Sequence, residues 1–286
     1  MEHYSGKKRY PVYMMIKKNK LKKGYFLVAI IIIFLLYGFY SRLETTYYTY
    51  QNVAVPQEFN QFKIAFLSDF HCKEFGKNEK KLIDSIDACE PDLIVFTGDV
   101  IDGSHKDLSP VEDLLSALSG RYPMYAVSGN HERDNLERYQ ELLGYYDKYG
   151  VVFLDDAYDV ITIGNAKIGI YGKSYEDIYY IKQFLNKPDE SIAEFNILLY
   201  HDATAFPIIS ATGYDLILSG HTHGGIIRIP FLGGLLDNNG GLIADYDNGL
   251  YTTKDATMIS SRGLGDAWFP RYNNRSELVC VTLRAE

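Results

Sequence analysis

The chain has 286 residues, 47% of them hydrophobic and 23% charged, which suffices to bury one large core and is too balanced for general disorder. Its formal charge of -8 is split unevenly: residues 1 to 24 carry eight basic side chains against Glu2, a net +7, which leaves -15 on the remainder. An acidic body repels a phosphate backbone wherever bound cations do not reverse the field, which argues against a general nucleic-acid binder. Three scattered cysteines, Cys72, Cys89 and Cys280, are too few for a disulfide framework and say almost nothing about compartment.

Residues 1 to 24 form a basic head that includes His3. From Tyr25 to Tyr40 the chain reads YFLVAIIIIFLLYGFY, uncharged and with tyrosines at both ends. At a helical rise of about 1.5 Å per residue this run spans about 24 Å, slightly short of a hydrocarbon core of roughly 30 Å. Gly24 and Ser41 lengthen it, and the flanking lysines and Arg42 can reach the interface. Apolar residues on every face leave no polar stripe for a surface helix, and no small-residue cleavage site follows. Residues 25 to 41 are therefore expected to be a transmembrane anchor. The excess of positive charge before it places the N-terminus in the cytoplasm and the large domain outside. Residues 42 to 61, polar and aromatic without strong periodicity, read as a tether along the membrane surface, and residues 62 to 286 as the folded domain.

Within that domain short apolar runs predict buried strands over Lys63 to Leu67, Leu93 to Phe96, Met124 to Val127, Lys167 to Tyr171, Asn196 to Tyr200 and Leu216 to Leu218. Helical stretches alternate with them: Glu79 to Cys89, Pro110 to Leu118 and Asn135 to Tyr149. Asp247 to Leu283 reads as strands and turns that complete a second sheet. Polar clusters follow these runs in order: Ser68-Asp69-Phe70-His71, Gly98-Asp99-Val100-Ile101-Asp102, Gly129-Asn130-His131-Glu132, His201-Asp202, and Gly220-His221-Thr222-His223-Gly224-Gly225. Singly, each fits a helix cap or a turn. Together they gather five of the seven histidines at strand ends or beside glycines, where an α/β sheet presents its loops to one crevice. Asp and Asn oxygens mixed with imidazole nitrogens suit Mn, Fe or Zn better than thiolate-seeking metals or calcium.

These five blocks resemble the metallophosphoesterase (calcineurin-like) superfamily. Ser261-Arg262-Gly263-Leu264-Gly265 and Asn274-Arg275-Ser276-Glu277-Leu278 are further similar to its membrane-associated bacterial phosphohydrolase branch. The resemblance implies an α/β fold, a four-layer α/β/β/α sandwich of two packed mixed sheets flanked by helices, here preceded by the transmembrane helix. It implies two divalent metal ions, one bound by Asp69, His71, Asp99 and His223 and the other by Asp99, Asn130, His201 and His221. A hydroxide shared by the ions is the implied nucleophile on phosphorus. By the same resemblance His131 stabilises the phosphoryl group or protonates the leaving oxygen, with Asp102 orienting its ring.

Departures from the branch fall outside the ligands. Ile226 stands where a glutamine often follows the glycine pair, and Asp202-Ala203 follow His201 where a small residue and proline are commoner. Cys72 reads as a small apolar packing residue and His105 as part of a solvated loop. Arg228, Arg262, Arg271 and Arg275 are candidates to grip phosphate beyond the metals. The expected substrate is a phosphorylated small molecule or lipid, preferably a lipid- or envelope-linked phosphodiester or pyrophosphate concentrated at the membrane. Alternatives are a nuclease or cyclic-nucleotide phosphodiesterase using the same ions, and a non-catalytic metal-binding membrane scaffold.

Overall fold

The structure is a computed structural model that describes residues 25 to 286 apart from 34, 176, 177 and 237 to 240. The basic head lies outside the described residues. The chain divides into two units, Met1–Tyr40 and Ser41–Glu286. Of the first, residues 25 to 33 and 35 to 37 are helical. No helix among the described residues is long and apolar enough to cross a membrane.

The second unit is built on two six-stranded mixed sheets. The first has the order β1 (Glu44–Asn52), β14 (Glu277–Ala285), β2 (Lys63–Leu67), β3 (Leu93–Thr97), β4 (Met124–Val127), β5 (Val151–Phe153). The second has the order β12 (Gly249–Thr252), β13 (Thr257–Ser260), β9 (Leu216–Gly220), β8 (Phe195–Asp202), β7 (Ala166–Gly172), β6 (Ala157–Ile163). Three apolar clusters define the layers. Ile64, Phe66, Val95 and Val127 of the first sheet meet Ile170, Ile197, Leu199 and Leu218 of the second between the sheets. Leu82, Ile86, Leu114, Leu115 and Leu142, from the helices Lys80–Cys89, Ser109–Leu118 and Leu136–Tyr149, cover the outer face of the first sheet. Phe206 and Ile209 of the short helix Phe206–Ile209, with Ile181, cover the other. This is the helix, sheet, sheet, helix layering expected from the sequence.

All six strand runs read from the sequence are present, most extended by a residue or two. Two readings are corrected. Glu44–Asn52 is no tether: it is β1, paired in parallel with β14 from Glu44 beside Glu277 to Asn52 beside Ala285. The folded unit begins at Ser41 rather than near Phe62. This strand is rich in Thr and Tyr, residues that favour pleated structure, but only Tyr50 is buried, so no apolar alternation betrays it. The C-terminal stretch also serves both sheets: β12 and β13 join the second, whereas β14 lies in the first between β1 and β2. Long-range pairing of this kind, Val279 with Phe66 and Val281 with Ile64, leaves no local mark in the sequence.

Cys89, ending its helix, is bonded to Cys280 of β14 across a sequence separation of 191 residues, with the Cα atoms 6.3 Å apart. The expectation of uninformative cysteines is thereby revised for two of the three. Cys72 is free and buried, and burial pushes its thiol up to about 12, which leaves it inert as expected.

Candidate metal centre

Parallel strands from both sheets end at one edge, and every predicted ligand lies there. Asp69 and His71 follow β2, Asp99 follows β3, and Asn130 with His131 follows β4. His201 lies near the end of β8, and His221 and His223 follow β9. The loops are tied to one another by backbone bonds: Asp69 N–H donates to Gly98 O at 3.0 Å and His71 N–H to Asp99 O at 3.0 Å. A register shift between Leu199 and Asp202 bends β8 just where His201 must turn inward.

Asp69, His71, Asp99, His221 and His223 all have left-handed backbones, with φ between 48° and 70°. Such conformations cost about 1 kcal/mol or more each for residues with a Cβ and persist where function holds them. Close approach demands glycine as well. A Cβ at Gly129 would collide with the Asp99 carboxylate, and one at Gly220 with Ser68 and Asp69.

Among the described residues the side chains form three overlapping groups, Asp69 with His71 and His223, Asp99 with His201 and His221, and His71 with Asp99 and His131, the last joining the first two. His71 Nε2 lies 3.3 Å from His223 Nε2, and His221 Nδ1 lies 3.2 Å from His201 Nε2. Asp99 Oδ2 connects them, 3.1 Å from His201 Nε2 and 3.8 Å from His71 Nε2. His201 Nδ1 sits 2.8 Å from Thr97 O. That contact accounts for the proton on Nδ1 and turns Nε2 into the pocket. Asn130 Oδ1 is buried without a hydrogen-bond partner. Two pairs of ring nitrogens this close, a carboxylate between them and an orphaned amide oxygen fit a pair of cations, since each needs positive charge opposite it.

The electrostatics agree. Burial alone would strip the charge from His201, but Asp99, Asp69 and Glu132 outweigh it and raise the ring above its ordinary value, so their negative field favours a positive charge at Nε2, a proton or a cation in its place. Burial would likewise raise Asp99, yet His201 and His71 hold it well below the usual carboxylate range. His223 is pushed far below its ordinary value by burial, and so stands neutral, ready to donate a lone pair.

One prediction about the second catalytic candidate fails. Asp102 is engaged elsewhere in the same cavity: its carboxylate accepts from Ser104 N–H and His105 N–H at 2.8 Å, meets His105 Nδ1 at 2.8 Å and lies 3.9 Å from His71 Nδ1. His131 stands instead beside Asp134, Nδ1 to Oδ2 2.8 Å, within ion-pair distance though not aligned as a hydrogen bond. The short helix His131–Asp134 explains the exchange, because residues three apart lie on one helical face. His131 itself is where the sequence reading puts it, about a third exposed, with its ring 5.0 Å from that of His71 and its N–H donating to Asp99 Oδ1 at 2.8 Å.

Glu132 was given no role from the sequence, yet it is the clamp of the site. Its buried carboxylate accepts from Asp99 N–H at 2.9 Å, Val100 N–H at 2.7 Å, Ile101 N–H at 3.3 Å and Gly129 N–H at 2.7 Å, locking the loops after β3 and β4 together. Only its place in the cluster Gly-Asn-His-Glu hinted at this. The arginines are also structural. Arg271 is buried against Gly265 O and Arg262 O and lies 3.3 Å from His223 Nδ1. Arg262 binds Glu277 and Glu44 at 2.8 and 3.0 Å, and Arg228 binds Asp247 at 2.7 Å. Arg275, the most exposed, lies 3.6 Å from Glu44.

Residues 62 to 225 match the family model described as calcineurin-like phosphoesterase. The chain belongs to the calcineurin-like phosphoesterases. It is 32% identical over 260 residues to the metallophosphoesterase YkuE of Bacillus subtilis, covering 85% of this chain and 86% of that protein. It is 30% identical over 230 residues to the phosphodiesterase YaeI of Escherichia coli, covering 78% and 82% of the two chains. A dimetal phosphatase from Danio rerio aligns in structure over 71% of this chain and 88% of that one, at 13% identity and a TM-score of 0.40. As a calcineurin-like phosphoesterase, the protein is a metal-dependent phosphoester hydrolase carrying two divalent ions.

Proposed function

We propose that this phosphoesterase works at a membrane surface, on a phosphodiester or pyrophosphate linked to a lipid or envelope component. The observation that carries the reading is the uncharged apolar run from Tyr25 to Tyr40 behind a head of net charge +7, which suits a single-pass anchor with its N-terminus in the cytoplasm. The Cys89–Cys280 bond supports an extracytoplasmic catalytic unit, because disulfides persist in oxidising compartments.

Asp69, His71, His223 and Asp99 are assigned to one ion, and Asp99, Asn130, His201 and His221 to the other. When bound, the two ions supply an activated water and neutralise the phosphoryl oxygens. The chain's own work is to aim and exclude. Glu132 holds the ligand loops in register, His201 keeps its proton on Nδ1, and His131 stands at the pocket mouth. There, with Asp134 steadying the ring, it donates a proton to the departing oxygen. Manganese is the favoured ion, on the mixed oxygen and nitrogen donor set.

Two measurements on the full chain test this. Protease protection in intact cells should leave the N-terminus shielded and cut the C-terminal unit from outside. A panel of soluble and bilayer-borne diesters and pyrophosphates with Mn, Zn and Fe should favour the bilayer-borne members. Equal turnover of cyclic nucleotides or of DNA would replace this substrate class with the alternatives above.

A further inference from the structure

Six large apolar side chains stand in water beside the metal pocket. Phe231, Leu232, Leu242, Ile243, Trp268 and Phe269 range from 38% exposed at Phe269 to fully exposed at Phe231. They come from two neighbouring segments: Ile227 bridges to Tyr272, Arg228 N–H donates to Tyr272 O at 2.9 Å, and Ile243 N–H donates to Leu235 O at 2.8 Å. Neither Ile229 to Leu236 nor Ala267 to Pro270 contains a charge. Trp268 also lines the cavity of about 670 Å³ that His71, His131 and His223 face. An exposed apolar patch of this kind, rimmed by Asp245 and Asp266, is rare on a monomer and marks a surface that something covers.

The point where the chain enters the fold identifies the cover. Ser41, first residue of the folded unit, lies with its Oγ 3.5 Å from Ser276 Oγ, and Lys73 of the same cavity reaches Ser276 Oγ at 3.2 Å. Glu44 N–H donates to Ser276 O at 2.9 Å, and Glu277 N–H to Gly263 O at 2.9 Å, beside Asp69. Ser41, the residue that follows the uncharged run from Tyr25 to Tyr40, therefore lies at the edge that carries the metal centre. We infer that this apolar rim docks on a lipid bilayer, with the pocket mouth turned toward it and the phosphate of an amphiphile drawn in laterally. The inference rests on the membrane reading above and goes beyond it, since an anchor alone leaves the rim free in water.

Trp268 is the single tryptophan of the chain, so its emission reports the rim and not the anchor. The full chain is reconstituted in vesicles of phosphatidylcholine and phosphatidylglycerol with brominated acyl chains, against the unbrominated mixture. The expected result is a blue-shifted Trp268 emission that bromine quenches and aqueous iodide does not. The double variant Phe231→Ser with Leu232→Ser should restore iodide quenching while the protein still floats with the vesicles. That variant should keep its rate on soluble methyl p-nitrophenyl phosphate and lose roughly tenfold on vesicle-borne hexadecyl p-nitrophenyl phosphate. Flotation with Trp268 open to iodide overturns the docked rim and spares the anchor; failure to float overturns both. Protection of Trp268 from iodide and bromine alike, in a species of twice the chain's mass, assigns the rim to a second copy and contradicts the inference.

Discussion

At the residue scale, Glu132 concentrates more hydrogen bonds on one carboxylate than any ligand does. Replacing it by Gln puts an amide N–H against backbone N–H groups that now have an acceptor. Leaving such buried donors unpaired costs about 1 to 3 kcal/mol, so Glu132→Gln should lower the unfolding free energy by roughly that amount and weaken metal retention in dialysis. An unchanged melting curve would contradict the clamp. His131→Ala should reduce kcat by roughly a hundredfold with metal content intact. Asp134→Asn should lower it less, and Asp102→Asn should lower it less still. A larger loss from Asp102→Asn than from Asp134→Asn would restore the pairing expected from the sequence.

Away from the site, Glu79 offers a pH test. Burial pushes its carboxyl up to about 7, above its usual value, although Phe75 N–H donates to it at 2.9 Å. A carboxyl raised on folding contributes stability while both states are protonated, and loses it as pH climbs through the folded value. Glu79→Gln should therefore gain stability relative to the parent between about pH 5 and 8, with little difference at pH 4. Parallel melting curves across that range would contradict it.

At the scale of elements, the sequence made the ligand edge legible because chemistry there is local. Each ligand cluster follows a short apolar run, so strand and site announce each other. Where the structure departs, the missing information is non-local or half-hidden. β1 has Thr and Tyr at positions that are neither clearly inside nor clearly outside, and β14 declares itself a strand without declaring its neighbour. The Asp134 partner of His131 was within reach, had His131 to Asp134 been read as one helical turn. Glu132 was not, since an acid that serves backbone N–H groups from two loops has no signature of its own. The Cys89–Cys280 bond ties helix to sheet, and Cys280→Ser should cost about 2 to 4 kcal/mol. Before reduction, the denatured native protein should expose the Cys72 thiol alone; three reactive thiols would remove the bond and the support it lends to an external domain.

Across the whole molecule, two sheets place their carboxyl ends at one edge, and the chain enters the fold beside it. The ligands carried by both sheets thereby share one face. The central claim is that side chains far apart in sequence jointly hold two cations. Metal analysis of the purified full chain by mass spectrometry, paired with hydrolysis of bis(p-nitrophenyl) phosphate, tests it most directly. The account predicts two divalent ions per chain, loss of both ions and of activity on chelation, recovery with Mn, and in Asp99→Ala a loss of metal together with activity. Full activity in a metal-free chain, or an Asp99→Ala variant that keeps two ions and turns over normally, would contradict it.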